Sequence, residues 1–118
     1  MANHNELGKT GESLAAGFLR EKGYQILFSN WRYAHYEIDI IATKGKKIHF
    51  IEVKTRSSAK FGYPEESVNV KKFNYLKNAA DQYLHLNPGF QWIQFDIVSI
   101  TLKKDGNPEY FFIEDIYL

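Results

Sequence analysis

The chain has 118 residues, a formal net charge of +1 and no cysteine. Hydrophobic residues make up 44% of it and aromatic residues 16%, which is enough for the core of one domain, over residues 1–118, without disulfides or metal staples. The missing cysteines exclude a disulfide framework and a thiolate metal site. Because the first residues are polar and no apolar run reaches roughly 20 residues, we expect a cytoplasmic protein with neither a secretory signal nor a membrane-spanning helix.

The hydrophobic pattern and the turn residues predict helices and strands in a mixed order. In chain order these are a helix over residues 8–22, strands over 24–33, 37–42 and 48–55, a second helix from an Asn69 cap to about residue 86, and strands over 90–102 and 110–117. The order α-β-β-β-α-β-β predicts an α/β fold in which helices flank a mixed β-sheet. The third strand, the second helix and the fourth strand are expected to form one right-handed crossover.

Each predicted helix carries an apolar stripe that would face the sheet. The stripe of the first helix is Leu7, Leu14, Ala15, Phe18 and Leu19, and that of the second is Phe73, Leu76, Ala80, Tyr83 and Leu84. We also assign Trp31 and Trp92 to the core. His35 and His49 lack the spacing of metal ligands, so they are expected to be surface or strand residues without a role.

The charges are distributed unevenly along the chain. From Lys44 to Lys77 there are nine Lys or Arg and three Glu, a net charge of +6, whereas the remainder has six basic and eleven acidic residues, a net charge of −5. A solvated face would explain any one of these lysines, and an anion-binding patch would explain the whole segment.

The second and third strands contain charged residues among apolar ones. Side chains alternate across a strand, so Glu52 and Lys54 share one face of the third strand. In the second strand Glu37 and Asp39 share a face, opposite Ile38 and Ile40. If Thr43 opposes Ile48 across the turn, then Asp39 lies opposite Glu52 and Glu37 lies opposite Lys54.

Two opposed carboxylates repel each other, and a divalent cation would compensate for that repulsion. Hard oxygen ligands suit Mg²⁺. Lys54 could stabilise charge on a substrate oxygen or orient a water. Asp39, Glu52 and Lys54 together therefore indicate metal-assisted hydrolysis of a phosphodiester. The competing interpretation is ion pairing on a half-solvated sheet, with a Glu37–Lys54 salt bridge; it explains Asp39 opposite Glu52 poorly.

Glu12 in the first helix is a candidate third carboxylate. It lies about 20° around the helical wheel from Leu19, on the flank of the buried stripe, so the helix could direct it toward Asp39 and Glu52. A glutamate in the first turn of a helix is also favoured by the macrodipole alone.

Four runs cover most of the chain in order: GESLAAGFLREKGYQIL, NWRYAHYEIDIIA, IEVKTRSSAKFGYPEESV and KKFNYLKNAADQYL. Together they resemble the YraN-like family of bacterial proteins, which is similar to archaeal Holliday-junction resolvases within the PD-(D/E)XK nuclease superfamily. The resemblance implies a restriction-endonuclease-like core that binds Mg²⁺ and cuts DNA, often branched DNA. It matches Asp39, Glu52 and Lys54 to the superfamily motif and Glu12 to the helix glutamate of resolvase-like members.

The chain departs from the family pattern at two positions. Ile38 stands where the motif has proline, and Tyr36 stands where the family often has glycine. Tyr36 would either narrow the site and stack on a base or form a cross-strand aromatic pair, and we favour the pair. Resolvase-like proteins are often dimers, so the resemblance is compatible with a homodimer, although no residue predicts one.

Further residues are candidates for contacts with nucleic acid. Arg32 and Arg56 flank the site and could contact phosphates, with Arg56 on the same face as Lys54. Lys71 and Lys72 begin the second helix, where the macrodipole disfavours cations, and this cost suggests that they bind an anion. In the loop over residues 57–64, the aromatic residues Phe61 and Tyr63 would either stack bases or cap the core.

These observations support three functions. The first is a Mg²⁺- or Mn²⁺-dependent nuclease acting on DNA, branched or single-stranded, with Asp39 and Glu52 holding the metal, Glu12 assisting and Lys54 stabilising charge. The second is a nucleic-acid-binding module that kept the fold without catalysis. The third is a protein-interaction module whose acidic ends contact a basic partner.

Overall fold

A computed structural model of the chain describes residues 4–57 and 69–116, with the backbone alone for residues 4–9. Its elements are α1 (His4–Glu21), β1 (Gln25–Tyr33), β2 (Tyr36–Lys44), β3 (Lys47–Arg56), α2 (Val70–Leu86), β4 (Trp92–Leu102) and β5 (Pro108–Ile113). This order confirms the predicted α-β-β-β-α-β-β succession and the α/β class. No helix in the described ranges is long and apolar enough to span a membrane.

The five strands form one mixed sheet in the order β1-β2-β3-β4-β5. All neighbouring pairs are antiparallel except β3 and β4, which are parallel and are connected through α2. The predicted crossover unit is therefore present, and the architecture is consistent with a restriction-endonuclease-like core.

Each helix covers one face of the sheet. On the α1 face, the buried cluster contains Ala15, Ala16, Leu19, Tyr24, Ile40, Ala42, Ile51, Val98 and Ile100. On the α2 face, it contains Ile38, Ile41, Ile48, Phe50, Leu76, Ala79, Ala80 and Tyr83. The apolar stripes predicted for the helices thus face the sheet wherever their side chains are described; the side chain of Leu7 lies outside the described residues.

The ends of the elements follow local chemistry. The side chain of Asn69 accepts a hydrogen bond from the Lys72 backbone N–H at 2.9 Å, which confirms the predicted N-cap of α2. The last strand is shorter than predicted because Asp115 has a left-handed backbone (φ 57°) and its N–H donates to the Asp96 carboxylate. The N–H of Ile116 donates to the Phe95 carbonyl, so the chain turns back against β4.

The core assignment of Trp92 is corrected, and His49, a strand residue as expected, has a specific partner. Trp92 is 59% exposed, because it is the first residue of β4 and lies at the end of the sheet, whereas Trp31 packs against the α2-face cluster as expected. His49 is buried and paired with Asp96 at 2.8 Å, so it is a core residue with a specific partner. Phe61 and Tyr63 lie outside the described residues.

Candidate active site

The β2–β3 hairpin has the predicted register. The paired residues run from Lys44 opposite Lys47 to Ile40 opposite Ile51. The regular pairing ends one residue before Asp39 and Glu52, since Asp39 Oδ2 accepts a hydrogen bond from the Val53 backbone N–H at 2.8 Å. The strands therefore separate where the two carboxylates lie, and a side chain takes the place of a backbone acceptor.

The alternation of side chains is interrupted at the same point. Ile40 packs on the α1 face, but Ile38 packs on the α2 face with Ile41, so the expectation that Ile38 and Ile40 share a face is wrong. Across the β1–β2 pair, Asn30 has φ 55°, and the paired positions pass from Ser29 opposite Ile40 directly to Trp31 opposite Ile38. Both strands are thus irregular where Asn30 and Asp39 meet.

A cleft of about 500 Å³ lies between this part of the sheet and α2. The cleft is lined by Glu37, Asp39, Glu52, Lys71, Lys72, Tyr75 and Leu76. One wall carries the carboxylates of β2 and β3, and the other carries the lysines of the first turn of α2. Four of the residues selected from the sequence as candidate metal or phosphate ligands therefore line a single cleft.

Asp39 lies within electrostatic range of three carboxylates and of the Lys54 ammonium. Burial raises its pKa to about 6, and the neighbouring carboxylates of Glu12, Glu52 and Glu37 act in the same direction. The hydrogen bond from the Val53 N–H opposes these effects without cancelling them. Negative charge thus exceeds positive charge in the surroundings of Asp39.

Lys54 pairs with Glu52, not with Glu37. The Nζ of Lys54 lies 3.0 Å from Glu52 Oε1, whereas Glu37 pairs with Arg32 at 3.4 Å on an exposed surface. The expected Glu37–Lys54 salt bridge is wrong because the strands separate before they reach those positions.

The ammonium group of Lys72, on the α2 wall of the cleft, lies close to that of Lys54. Burial lowers the pKa of Lys54, but the nearby Lys72 nitrogen and the Glu52 carboxylate outweigh burial and hold this pKa above its ordinary value. The hydrogen bond with Lys54, together with its charge, lowers the pKa of Lys72. The lysines of β3 and α2 thus meet over Glu52.

Glu12 is near the pair but is not gathered with it. Asn30 Nδ2 donates a hydrogen bond to Glu12 Oε2 at 2.6 Å, and Glu12 lines a neighbouring groove with Asn30. Its charge nevertheless contributes to the raised pKa of Asp39. Among the side chains that the structure describes, in residues 10–57 and 69–116, no three of His, Cys, Asp or Glu come together as a metal-binding group.

Gly11 fixes how closely α1 approaches the sheet. A methyl group on Gly11 would overlap the side chain of Thr55 on β3. The absence of a side chain at Gly11 lets α1 pack closely against Thr55 of β3 at this point, and the adjacent Glu12 lies within electrostatic range of Asp39.

Tyr75 is a site residue that the sequence analysis missed. Its hydroxyl donates to the His35 carbonyl at 2.7 Å and accepts from the Glu37 N–H at 2.9 Å, so it ties the β1–β2 turn to α2. Tyr36 lies opposite Tyr33 in the β1–β2 register, as the expected cross-strand aromatic pair requires, and its ring also packs on Tyr75 with centroids 5.7 Å apart. The spacing of Tyr75 from Lys71 and Lys72 was a usable signal, because residues three and four apart share a helix face.

The comparisons with known proteins place the chain in a family. The model of uncharacterised protein family UPF0102 matches residues 11–100. The protein belongs to this family. A UPF0102 protein of Syntrophomonas wolfei is 49% identical over 104 residues, which is 87% of this chain and 90% of the relative. A UPF0102 protein of Bacteroides thetaiotaomicron is 44% identical over 107 residues, which is 91% of this chain and 88% of the relative.

The UPF0102 match bears on the site through what it covers. Residues 11–100 include Glu12, Asp39, Glu52 and Lys54, whereas β5 lies beyond the matched range. The names of these relatives give the family and no activity. The family match confirms the resemblance to YraN-like proteins drawn from the sequence.

The two arginines selected from the sequence differ in their surroundings. Arg32 is exposed and pairs with Glu37. Arg56 is the last residue of β3, is half-buried and lies beside Thr101 of β4. Neither lines the cleft described above.

Proposed function

We propose that this UPF0102 protein is a divalent-metal-dependent nuclease that hydrolyses phosphodiester bonds in DNA, with branched or single-stranded DNA as its substrate. The observation that carries the proposal is the cleft in which Asp39 and Glu52 lie together, with the Lys54 ammonium 3.0 Å from Glu52. Two carboxylates can hold a catalytic divalent cation, and an adjacent lysine can stabilise charge that develops on a phosphate.

The donor set suits Mg²⁺ or Mn²⁺. Asp39 and Glu52 offer hard oxygen ligands. Burial and then three neighbouring carboxylates raise the pKa of Asp39, so a cation would relieve a repulsion that is already present. When bound, the cation would supply Lewis-acid polarisation of a phosphate oxygen and a more acidic water. Glu12, on α1 and hydrogen-bonded to Asn30, would assist directly or through a water.

The remaining charged groups would handle the substrate. Lys54 is placed to stabilise negative charge that develops on the phosphate during cleavage. Lys71 and Lys72 form the opposite wall and would bind flanking phosphates, while Arg56 and Arg32 would bind phosphates outside the cleft. The Tyr36 ring, packed on Tyr75, would border the bases near the mouth of the site.

Cleavage of labelled DNA tests the proposal. Duplex, single-stranded and four-way-junction substrates are incubated with Mg²⁺ or Mn²⁺, and we expect cutting that EDTA and Asp39→Asn both abolish. Asp81→Asn is the matched control, because Asp81 is an exposed aspartate on α2. Cutting that survives EDTA and Asp39→Asn, or no cutting of any substrate, would contradict the nuclease.

A second candidate is a nucleic-acid-binding module without catalysis. It is favoured by the wall of Lys71 and Lys72, which can bind phosphates without a metal, and by the hydrogen bond that holds Glu12 on Asn30. This candidate predicts binding that weakens as salt rises, with no cutting of any substrate. A gel-shift series across salt, run beside the cleavage assay, separates it from the nuclease. Absence of both binding and cutting would favour the protein-interaction module. Whether the protein forms a homodimer is a separate question, which sedimentation of the free protein tests.

A further inference from the structure

Two lysines and a tryptophan form a row across the end of the sheet that lies away from the cleft. Lys44 of β2 is paired with Lys47 of β3, and Lys47 is paired with Trp92 of β4. Side chains at paired positions point to the same face, so all three lie on the α1 face, on strands about 4.8 Å apart. Lys47 is the first residue of β3. It lies five residues before Glu52, or about 17 Å along the strand.

The surroundings of this row are basic and open. Trp92 is 59% exposed. A groove of about 340 Å³ lies beside it, lined by Thr43, Gly45, Lys46, Lys47, Gly89, Phe90, Gln91 and Trp92. These lining residues include the lysines Lys46 and Lys47 and no acidic side chain. The groove thus combines a flat aromatic surface with positive charge.

Both lysines of the row are held by neutral partners. Lys47 Nζ donates to Gln94 Oε1 at 3.1 Å, and Lys44 Nζ lies 5.0 Å from the centre of the Tyr24 ring. In the part of the chain that the structure describes, neither ammonium has a carboxylate within 4.0 Å. Their charges are therefore positioned but not neutralised.

This arrangement carries two costs that a ligand would offset. Like charges directly opposite each other in a sheet are destabilising, and Lys44 faces Lys47. An exposed tryptophan leaves a large apolar ring in water. A ligand that relieves both must be anionic and must present a flat apolar face, and a nucleotide has both properties.

We propose that Lys44, Lys47 and Trp92 form a second binding surface for single-stranded nucleic acid, with a base stacked on Trp92 and phosphates on the lysines. The surface is separate from the Asp39–Glu52 cleft, and the inference does not depend on catalysis there. The same strand could occupy both positions, since the basic segment from Lys44 to Lys77 includes this row and the lysine wall of the cleft.

The test is equilibrium binding of a fluorescein-labelled oligothymidylate to the full chain in EDTA, so that cutting cannot interfere. We expect Trp92→Ala to weaken binding roughly 5- to 100-fold, because stacking supplies this share of affinity. Trp92→Phe should restore most of it. Phe111→Ala is the matched control, since Phe111 is also an exposed aromatic residue, on β5.

The lysines are tested by the salt dependence of the same binding. Replacing Lys44 and Lys47 by Gln should make the slope of log K against log salt shallower by about 1.4, because each phosphate contact on a single strand contributes about 0.7. The control replaces Lys103 and Lys104 by Gln, which removes the same charge from the turn before β5.

The outcomes are distinct. The proposal is overturned if Trp92→Ala binds the oligonucleotide as tightly as wild type, or if both lysine pairs change the slope equally. It is also overturned if wild type self-associates in sedimentation, Trp92→Ala does not, and oligonucleotide affinity is unchanged, because Trp92 would then belong to a protein interface. If Asp39→Asn abolishes cleavage but binds the oligonucleotide as tightly as wild type, the two sites are independent.

Discussion

Two aspartates of this sheet have opposite surroundings. Asp96 on β4 is completely buried and accepts three hydrogen bonds, from His49 Nδ1 at 2.8 Å, Gln94 Nε2 at 2.9 Å and the Asp115 N–H at 2.9 Å. Asp39 on β2 is half-buried and accepts one bond from the Val53 N–H, while burial and then three carboxylates raise its pKa.

The difference separates a structural carboxylate from one placed to bind. A buried carboxylate is tolerable only when donors satisfy its oxygens, and the donors around Asp96 come from β3, β4 and the segment after β5. They join the end of the chain to the middle of the sheet. Asp39 instead lines a cleft, where its carboxylate can bind a cation from solution.

The largest expected effect is at Asp96. Asp96→Ala leaves His49, Gln94 and the Asp115 N–H without their acceptor in the core, so we expect the free energy of unfolding to fall by about 3–5 kcal/mol. Urea unfolding measures this change, and Asp81→Ala on the exposed side of α2 should stay within about 0.5 kcal/mol of wild type. A loss below about 1 kcal/mol would mean that the network around Asp96 is not structural.

The opposite result is expected at Asp39. Because the pKa of Asp39 is raised to about 6 from 3.8, the folded protein retains a proton that the unfolded chain releases, and stability falls as pH rises from about 4 through about 6. Asp39→Asn cannot lose a proton and can still accept from Val53. Without metal it should therefore match wild type near pH 4 and exceed it by up to about 3 kcal/mol above pH 7.

Urea unfolding of wild type and Asp39→Asn at both pH values, in EDTA, checks this prediction. A variant that is less stable than wild type above pH 7 would show that Asp39 is satisfied as it stands, and the contrast with Asp96 would fail.

Divalent cations sharpen the contrast further. At a hundredfold excess of Mg²⁺ over its dissociation constant, binding to the native site should stabilise wild type by about 2.7 kcal/mol. Asp39→Asn and Glu52→Gln should lose this gain, whereas Asp81→Asn should retain it. Thermal melts with EDTA and with saturating Mg²⁺ or Mn²⁺ measure the effect, and no gain for wild type would rule out a preformed metal site in the free protein.

The contrast also shows which features a single sequence can predict. The element order, the hairpin register and the Asn69 cap depend on neighbouring residues or on periodicity, and all three were predicted correctly. The identity of the strained carboxylate was not predictable, because opposed carboxylates titrate as a pair. Burial and the proximity of Glu12 then decide that Asp39 carries the raised pKa.

Features that depend on distant residues were missed. The break in alternation at Ile38 coincides with the left-handed backbone of Asn30 on the neighbouring strand. The pairing of His49 with Asp96 joins residues 47 apart in sequence, and histidine spacing along the chain gives no sign of it. The exposure of Trp92 follows from its position at the sheet end, which composition does not reveal.

The smallest expected effect concerns the wall beside Asp39. Tyr75→Phe removes the hydroxyl that donates to the His35 carbonyl and accepts from the Glu37 N–H, so the free energy of unfolding should fall by about 1 kcal/mol. Hydrogen exchange at the Glu37 amide should become about fivefold faster, since about 1 kcal/mol of local protection is lost. Tyr33→Phe is the matched control, because Tyr33 is exposed on β1. Faster exchange confined to the β1–β2 turn, with Asp96-dependent protection of β4 unchanged, would show that the cleft can loosen while the buried network holds. Equal exchange rates in Tyr75→Phe and wild type would instead mean that ring packing against Tyr36, and not the hydroxyl, positions this wall.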